Sequence, residues 1–330
     1  MSTSERHTLR GSPVVAAPGK VFLIGEYAVL GGAPAVVAAV SRQAVGQFVP
    51  GIEPESLFVA ESVQAALGAI GDRALALPPG SVMVDSSAFS LDGKKLGLGS
   101  SAAVSAASVG AVLEMAGLAL DTNRDLCFSL AERAHRAAQG GAGSGADVAA
   151  AVHGGLVQYR RPTGGYPVVQ KIRLPADLRL VVFAEGKPSS TTDLIRSVHT
   201  YADRDPAGYE RVMRPLREQA ERFIEALTLE KIAEVLDAAR KYGEGLLELG
   251  VKSGTAIVTP RFEIAADLAI NLGGVAKPSG AGGGDVGIAL FGDMAAARNF
   301  SSRLQEIGLQ VIDVALDSQG VHRRMPGSSS

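Results

Sequence analysis

Residues 94–103 read KKLGLGSSAA: two lysines, two glycines and two serines stand directly ahead of a run of small residues with helical character. A helix start carries unsatisfied N–H groups and the positive end of the helix dipole, so a bare backbone and hydroxyls there suit an anion. Lys94 and Lys95 flank that position. The same pattern also arises where a strand and a helix merely pack closely. The loop is not a Walker A loop, because no lysine follows the second glycine, and it lacks the three-glycine dinucleotide spacing. A serine hydroxyl at such a start can bind a phosphate oxygen or a magnesium ion.

The chain has 330 residues, 46% hydrophobic and 20% charged, enough for a large core and in favour of two domains. A net charge of −2 gives no electrostatic case for nucleic acid or an anionic membrane. Cys127 is the single cysteine, which excludes an internal disulfide and fits a reducing, cytoplasmic setting. The opening MSTSERHTLRGSP lacks the apolar centre of a signal peptide, and no apolar run reaches membrane-spanning length. The five histidines are scattered without ligand spacing to Cys127, which argues against structural zinc. The 40 glycines are aperiodic and clustered.

Residues 14–17 and the following PGKVFLIGEYAVL predict two strands about a Pro18-Gly19 turn, and APAVVAAVSRQAVGQFV predicts further sheet. Helices are predicted from 100 to about 117 and from 124 to 139, the second capped by Thr122 and stopped by Gly140. GGLVQYR and LRLVVFAEG read as strands. Beyond 190 the pattern is mostly helical over 191–200 and about 207–250. A helix near 261–272, the strand VGIALFG, a helix over 294–307 and a final strand LQVIDVAL follow. The pattern is α+β, with domains over 14–190 and 191–330.

Four further stretches carry chemistry. Lys20 opens an apolar strand after Pro18-Gly19, with Glu26 six residues on. It reads either as a surface lysine at a turn or as a cation aimed from a strand end into a cleft. Asp147 follows Gly143-Ser144-Gly145 at a helix start and reads either as a cap or as a carboxylate beside a phosphate site. Between residues 280 and 287 five are glycine, a loop whose entropic cost a ligand contact would explain. In GKPSSTTDL, Lys187 precedes Ser190 and Thr191 at a helix start, where either can cap.

Together PGKVFLIGEYAVL, GLGSSAA and GAGGGDVG stand in the order of the GHMP kinase superfamily, and the chain resembles it from about residue 15 to 292. The resemblance implies an S5-like N-terminal domain, a ferredoxin-like C-terminal domain, and ATP with Mg2+ between them. Lys95, Gly97, Leu98, Gly99, Ser100, Ser101 and Ala102 would then hold the ATP phosphates, with Ser101 as metal ligand and Lys20 and Asp147 as catalytic residues. Within the superfamily the chain is most similar to the phosphomevalonate kinase branch, on Glu26-Tyr27-Ala28, HRAAQGGAGSGADVAAAVHGG, GKPSSTTDL and PSGAGGGDVGIAL. Gly141 departs from it, standing where that branch often has lysine.

The implied reaction is phosphorylation of phosphomevalonate. The substrate set is Lys20, Glu26, Tyr27, Ala28, Ser144, Gly145, Lys187, Ser190, Thr191, Gly280, Ala281, Gly282, Gly283 and Asp285. Mevalonate as acceptor, or a ligand sensor on the same fold, are the alternatives. Neither nucleic acid nor membrane is implied as a partner, and a homodimer is compatible with the sequence.

Overall fold

The computed structural model describes residues 12–91, 93–141, 143–162, 164–186 and 190–325. The first strand, β1 (Val14–Ile24), is buried along almost its whole length, as its apolar composition requires. It does not break into two strands at Pro18-Gly19. Instead it continues through a bulge there, and through a second irregularity between Phe22 and Ile24, in its antiparallel pairing with β2 (Ala35–Pro50). A bulge absorbs the donor that proline lacks while re-aiming the strand rather than reversing it.

Next come α1 (Leu57–Ala69) and β3 (Gly80–Asp85), neither of which stands out in the sequence. A short ladder of β4 (Ser90–Leu91) and β5 (Lys94–Lys95) leads into α2 (Ser100–Met115). The alanines of α2 are buried against α1, α3, β1 and β2. α3 (Arg124–Ala138) begins at Asn123, not at a Thr122 cap. The Thr122 hydroxyl and the Asn123 amide both donate to the Ala119 carbonyl, and that local turn competes with capping. α4 (Ala146–His153), β6 (Leu156–Arg160) and β7 (Val168–Ile172) complete this half.

β8 (Arg179–Ala184) starts the second sheet, so strands of that sheet lie on both sides of residue 190. α5 (Thr191–Arg204), α6 (Pro206–Thr228) and α7 (Ile232–Ser253) follow. The helical stretch predicted over 207–250 is thus a helical hairpin, turned where Glu230 takes a left-handed backbone (φ 55°). Then come α8 (Pro260–Asn271), β9 (Gly274–Pro278), β10 (Gly287–Phe291) and α9 (Met294–Arg303). Of the predicted final strand only β11 (Gln310–Val311) pairs with β8. The chain then returns to the first sheet, where β12 (His322–Arg323) pairs with β1.

Among the described residues the first sheet has six strands, ordered β12-β1-β2-β6-β7 with β3 also on β2; the second has four, ordered β11-β8-β10-β9. One apolar core runs through both halves, and a second cluster around Phe183, Phe262, Phe291 and Phe300 lies under α8 and α9. α7 packs on both β9 and β1 and so joins the halves beside the cleft. No helix among the described residues is long and apolar enough to cross a membrane.

Candidate active site

The bulge in β1 builds the site. Gly19 lies so close to the glycine loop that a side chain there would meet the Leu98 carbonyl at 2.6 Å and the Phe89 ring at 2.7 Å. That closeness lets the Lys20 N–H donate to the Leu98 carbonyl (2.8 Å), which hangs the loop on the strand. The Lys20 side chain then runs under Gly99. Gly99 has φ +76°, and a Cβ there would stand 2.7 Å from Lys20 Cε. Strand, lysine and loop are therefore one fitted unit. Gly99 is also the N-cap of α2 and offers no side-chain cap, which leaves the first N–H groups of that helix free to face the cleft.

Lys20 is buried, 8% exposed. Burial pushes its ammonium below the ordinary lysine value, and Asp147, Asp285, then Glu26 pull it back up. Among the described residues none forms an ion pair with it within 4.0 Å. Asp147 sits in the first turn of α4, two residues after the Gly145 N-cap, and one of its carboxylate oxygens serves that helix start. Its Oδ1 accepts the Val148 N–H (3.0 Å). Asp285 lies against Gly97; burial raises its pKa, and Lys20 and Lys95 draw it down.

The wall opposite is tied rather than loose. Tyr27, at a strained positive φ of 60°, donates its hydroxyl to the Ala281 carbonyl (2.6 Å). The Phe22 N–H donates to Ser279 Oγ (2.7 Å), and the Gly283 N–H to the Ile257 carbonyl (3.0 Å). Behind them Glu26 and Lys277 form an ion pair with side chains 1% exposed, and the Tyr242 hydroxyl donates to the Glu26 carbonyl (2.6 Å). Burial pushes the Glu26 carboxyl up and the Lys277 ammonium down, each against the pull of its partner.

One cleft therefore gathers Lys20, Glu26, Tyr27, Lys95, Gly97, Gly99, Ser100 and Ser101 from the N-terminal segments, together with Ser144 and Asp147. Thr191, Gly280, Ala281 and Asp285 line it from the other side. Leu98 (1% exposed), Ala102 and Ala28 are core residues. Gly145 is the α4 cap, and Ser190 caps α5 by accepting the Asp193 N–H (3.3 Å). Gly282 packs on Ile257, and with Gly283 it ties the loop rather than lining the cleft. Lys187 lies outside the described residues. Sequence reasoning missed His135, whose Nε2 is 3.1 Å from Ser101 Oγ, and Lys277. Each left a signal: a histidine on the buried face of α3, and a lysine inside the apolar strand GVAKP.

Comparison with known proteins agrees with this architecture. The profile described as GHMP kinases N terminal domain matches residues 61–155, and that described as GHMP kinases C terminal matches 223–308. A phosphomevalonate kinase of Streptomyces sp. is 31% identical, covering 91% of this chain and 94% of that protein. The chain belongs to the GHMP kinases. A phosphomevalonate kinase of Saccharolobus solfataricus is 30% identical to this GHMP kinase over 92% of the chain and 97% of the relative. A mevalonate kinase of Aeropyrum pernix is 28% identical over 94% and 98%. Among solved structures, Streptococcus pneumoniae phosphomevalonate kinase in complex with phosphomevalonate and AMPPNP has the same fold. Its TM-score is 0.76 at 21% identity, covering 92% of this chain and 99% of that one.

Proposed function

We propose that this GHMP kinase transfers the γ-phosphoryl group of ATP to the phosphate of 5-phosphomevalonate, giving 5-diphosphomevalonate and ADP, on the route from mevalonate to isoprenoids. Full-length similarity to two phosphomevalonate kinases carries the reading. The cleft supports it by bringing a buried lysine, an uncapped glycine-bordered helix start and the carboxylates of Asp147 and Asp285 together. The mevalonate kinase relatives favour mevalonate as the second reading.

The donor set fits a magnesium nucleotide. Ser101 and Asp147 offer hard oxygen ligands. Among the described residues no group of three or more His, Cys, Asp or Glu could hold a metal, so phosphate and water would supply most of the coordination. Bound there, the ion would neutralise charge on the phosphates. Ser101 would hold it, with the free N–H groups of α2 and Lys95 on the remaining phosphate oxygens. Lys20 faces the transferring group from a site of low dielectric, where a fixed cation acts most strongly. A phosphate acceptor is already anionic near neutral pH, so Asp147 orients rather than deprotonates; with mevalonate it would be a base. The acceptor's own phosphate falls to Thr191 at the start of α5, together with Lys187, while Ser190 caps that helix.

The test is ADP release by purified protein with ATP and magnesium, given mevalonate or phosphomevalonate separately. Turnover with phosphomevalonate is expected. Brisk turnover of mevalonate with none of phosphomevalonate overturns the acceptor and keeps the kinase.

A further inference from the structure

His135 lies beside both Ser101 and Asp147. It projects from α3 with 1% of its surface exposed, its ring 5.3 Å from that of Phe58 on α1. Its Nε2 lies 3.1 Å from Ser101 Oγ and 3.8 Å from Asp147 Oδ2. The first distance is a hydrogen bond and the second is beyond one, so the serine holds this nitrogen.

We propose that His135 is a positioning residue that aims the Ser101 hydroxyl at the metal of a metal nucleotide; the inference rests on the reading in the preceding section. A serine hydroxyl has one proton and two lone pairs. If the proton points into the cleft, it opposes a cation. Nε2, unprotonated, accepts that proton and turns both lone pairs outward, the imidazole carrying its own proton on Nδ1. In this tautomer Nε2 donates nothing to Asp147, whose carboxylate stays open to the cleft. Residues that orient a metal ligand in this way typically change metal affinity or activity by about 10- to 100-fold when lost.

Binding of AMPPNP tests this by calorimetry, once with Mn2+ and once with EDTA, together with the Mn2+ resonance of the bound complex. His135→Phe keeps the ring against Phe58 and removes the acceptor. It is expected to weaken binding of the Mn2+ complex by about 10- to 100-fold, to leave metal-free binding unchanged and to broaden the Mn2+ signal. In a Ser101→Ala background the same change is expected to do nothing further. His135→Gln, whose side-chain oxygen can accept the serine proton, should recover part of the loss and stands in should His135→Phe not fold. Equal affinities of wild type and both variants for the Mn2+ complex overturn the inference. So does equal weakening with and without metal. A wild-type protein that binds AMPPNP in neither condition overturns the nucleotide reading itself.

Discussion

Two lysines lie buried in this enzyme, Lys20 at the cleft and Lys277 behind its opposite wall, and they differ in what surrounds them. Lys277 is 3% exposed, bonded to the Glu26 carboxylate and to the Pro278 carbonyl (3.0 Å), and stands 5.7 Å from the centre of the Tyr242 ring. Lys20 is 8% exposed with no ion-pair partner among the described residues. Burial pushes both ammonium groups down. A charge that is buried and paired fixes geometry. One that is buried and left facing a cleft is held ready for an anion that arrives later. Lys277 holds one wall in place, and Lys20 waits across the cleft from it.

The largest effect should come from breaking the paired lysine. Lys277→Met leaves the Glu26 carboxyl buried without its cation, and removing one partner of a buried pair costs about 3–5 kcal/mol. Denaturant unfolding should show that loss, and Glu26→Gln combined with Lys277→Met should recover most of it. If the single variant is as stable as the parent, the pair does not hold the two halves together.

Lys20→Met should behave in the opposite way. Turnover should fall by about a hundred- to a thousand-fold, the usual result of losing one preorganised group at a developing charge. Stability at neutral pH should be unchanged or higher. The pKa of Lys20 is lower in the folded chain than its ordinary 10.5, so the folded state is penalised below the folded pKa. That penalty fades as pH rises toward 10.5. The alkaline limb of kcat/KM in the parent, which reports the free enzyme, should therefore fall below 10.5. Asp285→Asn, which removes a charge that pulls Lys20 up, should move the limb lower still. A thermal melt and a pH-rate profile check both signs.

Gly99→Ala tests the fit between loop and lysine. The new Cβ meets Lys20 Cε at 2.7 Å in a backbone with φ +76°, which alone costs roughly 1–2 kcal/mol. Displacing the lysine by an ångström or so should lower kcat by up to about a hundred-fold. A fall in nucleotide affinity with kcat intact would show that the loop holds phosphates without reference to Lys20.

What could be read from the sequence and what could not divide along the same line. The glycine loop, the Pro18-Gly19 irregularity beside Lys20 and the Gly143-Ser144-Gly145-Asp147 turn declare themselves because their geometry is local, although Lys20 lies inside β1 and not at a strand end. Lys277 finds Glu26 across 251 positions, and His135 reaches Ser101 across 34, so no short window contains either contact. The turn at Glu230 carries no glycine to announce it, and β12 rejoins β1 only because the first sheet leaves that edge open. Asp147 was legible as a helix-start carboxylate. Only the structure shows it doing both, with one oxygen on the Val148 N–H while the residue lines the cleft.

The smallest effect separates two neighbours at the start of α5. The Ser190 hydroxyl oxygen accepts the Asp193 N–H (3.3 Å), whereas Thr191 lines the cleft. Ser190→Ala should therefore act chiefly on stability, by about 1 kcal/mol, the ordinary worth of a serine cap. Thr191→Val keeps the shape and removes the hydroxyl. It should raise KM for phosphomevalonate a few-fold while leaving KM for ATP and kcat nearly unchanged, as expected when binding shared by ground and transition states is lost. Both variants need only melting curves and steady-state kinetics with each substrate varied in turn. If Ser190→Ala raises the acceptor KM and Thr191→Val does not, the cap also binds the acceptor, and the rule that engaged groups build while open groups bind fails at this helix.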